Sequence, residues 1–326
     1  MSAITRRSLI STAALLPFAA ATSANAQADY PNRVMRIVVG FAAGGGNDIF
    51  ARLVGAKLSE LIGQSVIIEN KPGAGARLAN EYVANQPADG YTLLVAASGG
   101  MSIASAIYPN LRYHPTKSFV PLTMIANFPL ILAIPASHPA KSVAELVAWM
   151  KANPDKSNYA TSSPAFTIAT ELFKLKTGAP CQAIPYKSSG ESLVAVMGGQ
   201  TLLTIADGPP TVPLVKNGQV RALAVTGSER SSELPDVPSM AEVGFPEVNT
   251  GLWSGVFVAA ATPAPIVKKL EETLRRAIAA ADVNAKLKAM AVTPGGGPSA
   301  EFRAMIDADI KTVSEVVKAA KLEFPE

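Results

Sequence analysis

One cysteine and two histidines in 326 residues leave little room for thiol, disulfide or metal chemistry. Cys181 has no second cysteine to bridge to, so it reads as a small core residue beside a strand, and the fold must rest on packing. His114 and His138 each precede a proline in loop-like sequence. Neither sits in an H-E-x-x-H pattern, no Cys/His cluster surrounds them, and no G-x-S-x-G elbow is present, which speaks against a metal hydrolase or a His-dependent triad. Basic runs are missing as well: Lys and Arg occur singly or in pairs such as Lys268-Lys269 and Arg275-Arg276, without interleaved aromatics. Nucleic acid is therefore not an expected partner. Past residue 26 there is no apolar run approaching the ~20 residues that a membrane-spanning helix needs.

What is present begins with an export signal. Residues 1–26 carry Arg6-Arg7, a mostly apolar stretch over 9–21, and Ala24-Asn25-Ala26, the small-x-small pattern of a cleavage site. The expectation is cleavage after Ala26, a mature chain starting at Gln27, and a periplasmic location. Thr5-Arg6-Arg7-Ser8-Leu9 resembles a twin-arginine signal, but two basic residues before an apolar run are also common in general export signals, and that general route is the expected one. Residues 1–26 contain those two arginines and no other charged residue, so cleavage lowers the formal net charge from +4 to +2. With 48% hydrophobic residues, about 300 mature residues can fill two cores.

The richest chemical signal lies at 35–49. A buried strand over 35–39 runs through Gly40 and the triplet Gly44-Gly45-Gly46 into a helix opening at Asn47-Asp48. Glycines let a backbone approach a ligand closely, and the helix start offers unpaired N–H groups and partial positive charge to an anion. Consecutive glycines are not the G-x-G-x-x-G of dinucleotide folds, and no Gly-Lys-Ser/Thr follows, so no nucleotide cofactor is expected. A branched side chain at Gly45 should occupy ligand space.

Short apolar strands then alternate with amphipathic helices, which argues for an α/β fold with mostly parallel sheets. Strands are expected over 65–69 and 91–97, with a helix over 77–86 between them. A second unit begins near Asn127. Ser142-Val143-Ala144-Glu145 reads as a capping box opening a helix to Lys151, followed by a strand over 158–161 and a helix over 164–177 stopped by Gly178. Strands over 181–184, 201–206, 220–226 and 252–259 complete the pattern. Thr262-Pro263 and Ser299 are expected to cap two C-terminal helices.

These segments carry a resemblance. The run Ile37-Val38-Val39-Gly40-Phe41-Ala42-Ala43-Gly44-Gly45-Gly46-Asn47-Asp48, then Glu69-Asn70-Lys71-Pro72-Gly73, Asp89-Gly90-Tyr91-Thr92, Ile184-Pro185-Tyr186-Lys187, Arg221-Ala222-Leu223-Ala224-Val225-Thr226 and Leu234-Pro235-Asp236-Val237-Pro238 resemble, in order and spacing, the Bug family, substrate-binding receptors of tripartite tricarboxylate transporters. The resemblance spans essentially the whole mature chain. It implies a periplasmic-binding-protein fold of type II, two α/β lobes around a ligand cleft, with residues 27–126 plus 252–326 forming lobe 1 and 127–251 forming lobe 2. It implies no enzyme activity, no cofactor and no metal. It also implies a monomeric receptor that holds a small organic carboxylate and hands it to membrane transport subunits.

Carried over residue by residue, the lobe 1 contacts would be Phe41, Ala43, Gly44, Gly45, Gly46, Asn47 and Asp48, with Ser98, Gly99, Met101 and Ser102 after the third strand. Lobe 2 would supply Ser163, Phe166, Thr167, Tyr186 and Asp207. Asp207 would repel a carboxylate directly, so its expected role is to accept from amides or water behind the ligand. Asp48 could serve the helix N-terminus instead. The chain also departs from the family pattern. Met101-Ser102-Ile103-Ala104-Ser105 stands where the family is more polar, Ser163-Pro164-Ala165-Phe166-Thr167 replaces a Gly-x-Gly-Thr turn, Ser254 leaves room beside Trp253, and Arg77 replaces a small residue and could reach an anion. Phe41, Met101, Ala104 and Phe166 are expected to make the cleft apolar, favouring a flat aromatic acid over an aliphatic one. Two other readings stay open: a receptor feeding a sensor kinase through the same cleft, and a carboxylate-pair hydrolase drawing on acids such as Asp207 and Glu191, for which the fold gives no support.

Overall fold

The computed structural model describes residues 30–320, with side chains to 315. The expected leader and cleavage site lie outside the described residues. The chain opens with β1 (Met35–Val39), α1 (Gly46–Ile62), β2 (Val66–Asn70), α2 (Arg77–Ala84), β3 (Thr92–Ala97) and the short α3 (Ser102–Ile107). β1 pairs in parallel with β2 on one side and β3 on the other. Phe50, Val54 and Leu58 recur at fourfold spacing on α1 and are fully buried, each worth ~1.5–3 kcal/mol of apolar burial. Gly63 in the left-handed region ends α1, its N–H donating to the Ser59 carbonyl.

The second lobe contains α4 (Val143–Ala152), β5 (Asn158–Thr161), α5 (Pro164–Thr177), β6 (Gln182–Pro185), α6 (Ser189–Met197), β7 (Leu203–Asp207), α7 (Gly208–Lys216) and β8 (Val220–Val225). Ser142 caps α4 as expected, accepting from the Glu145 N–H at 3.2 Å. Glu145 reaches one residue further back than a capping box requires, accepting from the Lys141 N–H at 2.7 Å. Ser188 and Glu191 repeat this arrangement at α6, with the Glu191 N–H donating to Ser188 at 3.2 Å and the Lys187 N–H to Glu191 at 3.0 Å.

Two long antiparallel strands join the lobes. β4 (Phe119–Pro135) pairs with β9 (Gly251–Ala259) from Phe119 to Pro129, then with β7 and β8 from Leu130 onward, so one strand serves both halves of the sheet. β9 in turn sits between β3 and β4. The main path runs β2-β1-β3-β9-β4-β7-β5-β6. α8 (Ala264–Ala279), α9 (Ala281–Ala289), β10 (Thr293–Pro294) and α10 (Ser299–Ala320) close the chain. Two expected caps act otherwise. The Thr262 hydroxyl donates to the Ala259 carbonyl, and the Ser299 hydroxyl to that of Pro121, fastening α10 to β4.

Candidate functional site

The strand-to-helix junctions of both lobes meet at one cleft. Its lining comprises Phe41, Gly45, Gly46 and Asn47 ahead of and within the first turn of α1, Ala97 at the end of β3 and Gly99 after it, Ser162 to Phe166 around the start of α5 apart from Pro164, Ser189 of α6, and Asp207 at the end of β7. Phe128 of β4 and Leu252 of β9 complete the lining. The lobes are closed on one another, and the remaining cavity is about 20 Å³, room for a water molecule or so.

Glycine makes this closure possible. A Cβ on Gly46 would lie 1.8 Å from Asp207 Oδ2, and one on Gly190 would lie 2.7 Å from the Gly44 carbonyl oxygen. Gly45 is less constrained: its φ of −83° is ordinary, and a Cβ there would meet Ser188 Cβ at 3.2 Å. The residue of closest approach is thus Gly46, not Gly45. A main-chain bond from the Ala42 N–H to the Lys187 carbonyl, 3.1 Å long, ties the two rims.

Four helices begin at or beside the cleft. α1 starts behind Gly45, which has no side chain to cap it; its Gly46 N–H donates to Asp207, and the positive end of its dipole lies at the cleft. At α5, Ser163 accepts from the Phe166 N–H at 3.5 Å. Asn47 is oriented from behind by Ser254, which is fully buried and donates to Asn47 Oδ1 at 2.7 Å, so the Asn47 amide nitrogen remains as a donor. Ser254 thus fixes a cleft residue, where the sequence reading gave it only the role of leaving space.

Asp207 is the one ionisable residue of the lining and is 5% exposed. Burial pushes its carboxyl up to about 6, against hydrogen bonds from Ser189 and the Gly46 N–H. Its Oδ1 is buried without a partner, as is Ser162 Oγ.

Several expected contacts stand elsewhere. Asp48 is turned behind the loop, accepting from the Gly44 N–H, Arg52 and Asn70 at 2.9–3.0 Å. Burial opposes its ionisation, but the bonds from Arg52, the Gly44 N–H and Asn70 outweigh it and hold its pKa below the ordinary value. Ala43 and Gly44 are exposed at the rim. Met101, just before α3, is fully buried among Tyr113, Phe119 and Phe257, and Ala104 of α3 is fully buried too. The Ser102 hydroxyl donates to Asp309 of α10, which also accepts from Trp253 Nε1 at 2.9 Å. Ser98 is buried beside the lining, its hydroxyl unpartnered.

Thr167 and Tyr186 line a wider outer depression, which shares Ser162 and Ser163 with the cleft. Arg77 lies there as well, stacked 3.7 Å over Tyr108 with its Nε donating to the Ala74 carbonyl. Phe128, Ser162, Ser189 and Leu252 also line the cleft and were not expected from the sequence. Ser188-x-x-Glu191 was the available signal for a helix start at Ser189.

Both histidines stand apart from this lining, each with Nδ1 accepting from a main-chain N–H two residues on. Among the described residues no three His, Cys, Asp or Glu side chains gather to hold a metal, and no helix is long and apolar enough to cross a membrane.

A two-lobed α/β molecule, bridged by shared strands and closing on a cleft of helix N-termini, is a solute receptor of the periplasmic-binding-protein fold. More narrowly, the chain belongs to the tripartite tricarboxylate transporter receptor family, whose pattern it matches over residues 50–322. It is 32% identical over 299 residues to the protein BugT of Bordetella pertussis, covering 90% of this chain and 92% of that one. Among solved structures it is similar to MatC from Rhodopseudomonas palustris with bound malate, at 30% identity and TM-score 0.84, covering 88% of this chain and all of that one. It is similar also to an R. palustris protein solved with adipate, at 35% identity and TM-score 0.85, covering 90% and 99%. It is a substrate-binding receptor and not an enzyme.

Proposed function

We propose that this receptor captures a small organic carboxylate between its lobes and delivers it to the membrane subunits of a tripartite transporter. The observation that carries the reading is the meeting, at one cleft, of the N-terminus of α1, whose Gly46 N–H is taken by Asp207 while the Asn47 side chain and the rest of its first turn border the cavity, with the buried hydroxyls of the α5 junction. Backbone N–H groups and hydroxyls can balance a carboxylate without the desolvation cost of burying a full positive charge. The relatives solved with malate and adipate support the same class of solute.

Within that class we favour an aromatic acid. Phe41 and Phe166, each 8% exposed, line the cleft with Phe128 and Leu252, giving it apolar walls although Met101 and Ala104 lie elsewhere. Stacking on Phe166 would add ~0.5–1.5 kcal/mol beyond area burial. Calorimetry with benzene-dicarboxylate, nicotinate, succinate and citrate on wild type and Phe166→Ala tests this. The aromatic acids should bind tightest and lose most on substitution. Tightest binding of citrate, or equal weakening of all four, would refute the aromatic preference and leave the carboxylate reading standing.

A further inference from the structure

The cleft is unevenly supplied with hydrogen-bonding groups. On the donor side are the first-turn N–H groups of α1 after Gly46, whose own N–H goes to Asp207, with the Asn47 amide nitrogen and the unpartnered Ser162 hydroxyl. The same lining holds one strong acceptor without a partner among the described residues, Asp207 Oδ1. Its sister oxygen, Oδ2, lies against Gly46, and the carboxylate takes donors from the Gly46 N–H and Ser189. A carboxylate held this way is an acceptor on both oxygens, and a buried acceptor left unpaired is costly.

Among the described residues no cation pairs with it. The charged groups on the elements packed around Asp207 are engaged elsewhere: on α1, Asp48 with Arg52, and Lys57 with Glu60 and Asp282; on α5, Glu171 with Lys174, and Lys176 with Glu247. On α6, Glu191 accepts from the Lys187 N–H, and on α7, Lys216 pairs with Glu233. β4, which pairs with β7 at Asp207, has no charged residue.

We infer that the solute carries an N–H donor, an ammonium or aromatic amine nitrogen, in addition to its carboxylate, and that Asp207 Oδ1 is the residue that reads it. This rests on the carboxylate-receptor reading and narrows it. The carboxylate is held from the α1 side, and the nitrogen completes the acceptor across the cleft, so one molecule satisfies both halves of the site.

The test is calorimetry with pairs that differ only in the amine: benzoate against 4-aminobenzoate, and succinate against L-aspartate. At pH 7.5 the amino member of at least one pair should bind ten-fold tighter or more. That ratio should shrink as pH falls below about 6, where the Asp207 carboxylate takes up a proton. In Asp207→Asn the side-chain carbonyl would keep the Gly46 and Ser189 bonds and turn its NH2 to the ligand, reversing the preference in favour of the unaminated acid. Equal binding within both pairs, an unchanged ratio in a folded Asp207→Asn, or a wild-type ratio flat from pH 5 to 7.5 would each overturn the inference while carboxylate binding stands. Failure of all four acids, together with the four of the aromatic test, to bind would remove the carboxylate reading itself.

Discussion

Replacing Asp207 by Asn should make the unliganded receptor more stable at neutral pH, and the size of the gain follows from burial. In the folded protein the Asp207 carboxyl titrates at about 6, against 3.8 for the free group. The folded state therefore binds this proton more tightly than the unfolded chain does. The stability that this proton confers is complete below the unfolded value and is lost as pH rises through about 6. A gap of about two pKa units corresponds to ~3 kcal/mol at 1.36 kcal/mol per unit. Asn is neutral at every pH and carries no such loss. Thermal unfolding of both proteins at pH 4, 5, 6 and 7.5 would measure it. The stability of Asp207→Asn relative to wild type should improve by up to ~3 kcal/mol from pH 4 to pH 7.5, an increase in melting temperature on the order of 5 °C for a chain of this size. Because both proteins share every other titrating group, their difference isolates this one. A difference that does not vary with pH, or one that favours the variant most at pH 4, would refute the reasoning.

Two further predictions concern closure and export. Gly46→Ala places a methyl where the Asp207 carboxylate now sits, so it should hold the lobes apart and lower affinity at least ten-fold while the melting temperature changes little; undiminished affinity by calorimetry would show that the lobes need not meet there. The secreted protein should have a mass lacking residues 1–26, and changing Arg6-Arg7 to two lysines should leave export intact; blocked export of the lysine variant would assign the twin-arginine route instead.

The loop over 40–48 was legible because its signal is local: a buried strand, three glycines and a helix start are visible without knowing what lies opposite. The helix over 164–177 was equally plain, with Ser163 before it and Gly178 after it in the left-handed region. β4 was harder to see. Pro121, Pro129 and Pro135 interrupt its apolar run, and proline argues against a central strand unless bulges or changes of partner absorb it. β4 has both, with register shifts after Pro121 and Met124 and a change of neighbours at Leu130. With β4 unread, Phe128 could not be placed in the cleft. Met101 shows a different limit. Its position after β3 is read from sequence, but the direction of its side chain depends on the backbone at 101, φ −110° and ψ −92°, which turns the residue toward Asn80 and Tyr113.

The pairing of β9 with both β3 and β4 also governs how this chain can be made. Leu93 lies beside Val258, and Phe119 beside Ala259, so the first lobe lacks its central strand until most of the polypeptide has been synthesised. Contacts so distant in sequence form slowly, since a long loop must close before they are gained. Until then β3 and the first half of β4 expose unpaired edges rich in Leu, Val and Ala, the kind of surface that joins other chains. A nascent or truncated chain ending before residue 251 should therefore need a chaperone or aggregate, and the same delay would keep the precursor unfolded enough to be threaded through a translocation channel.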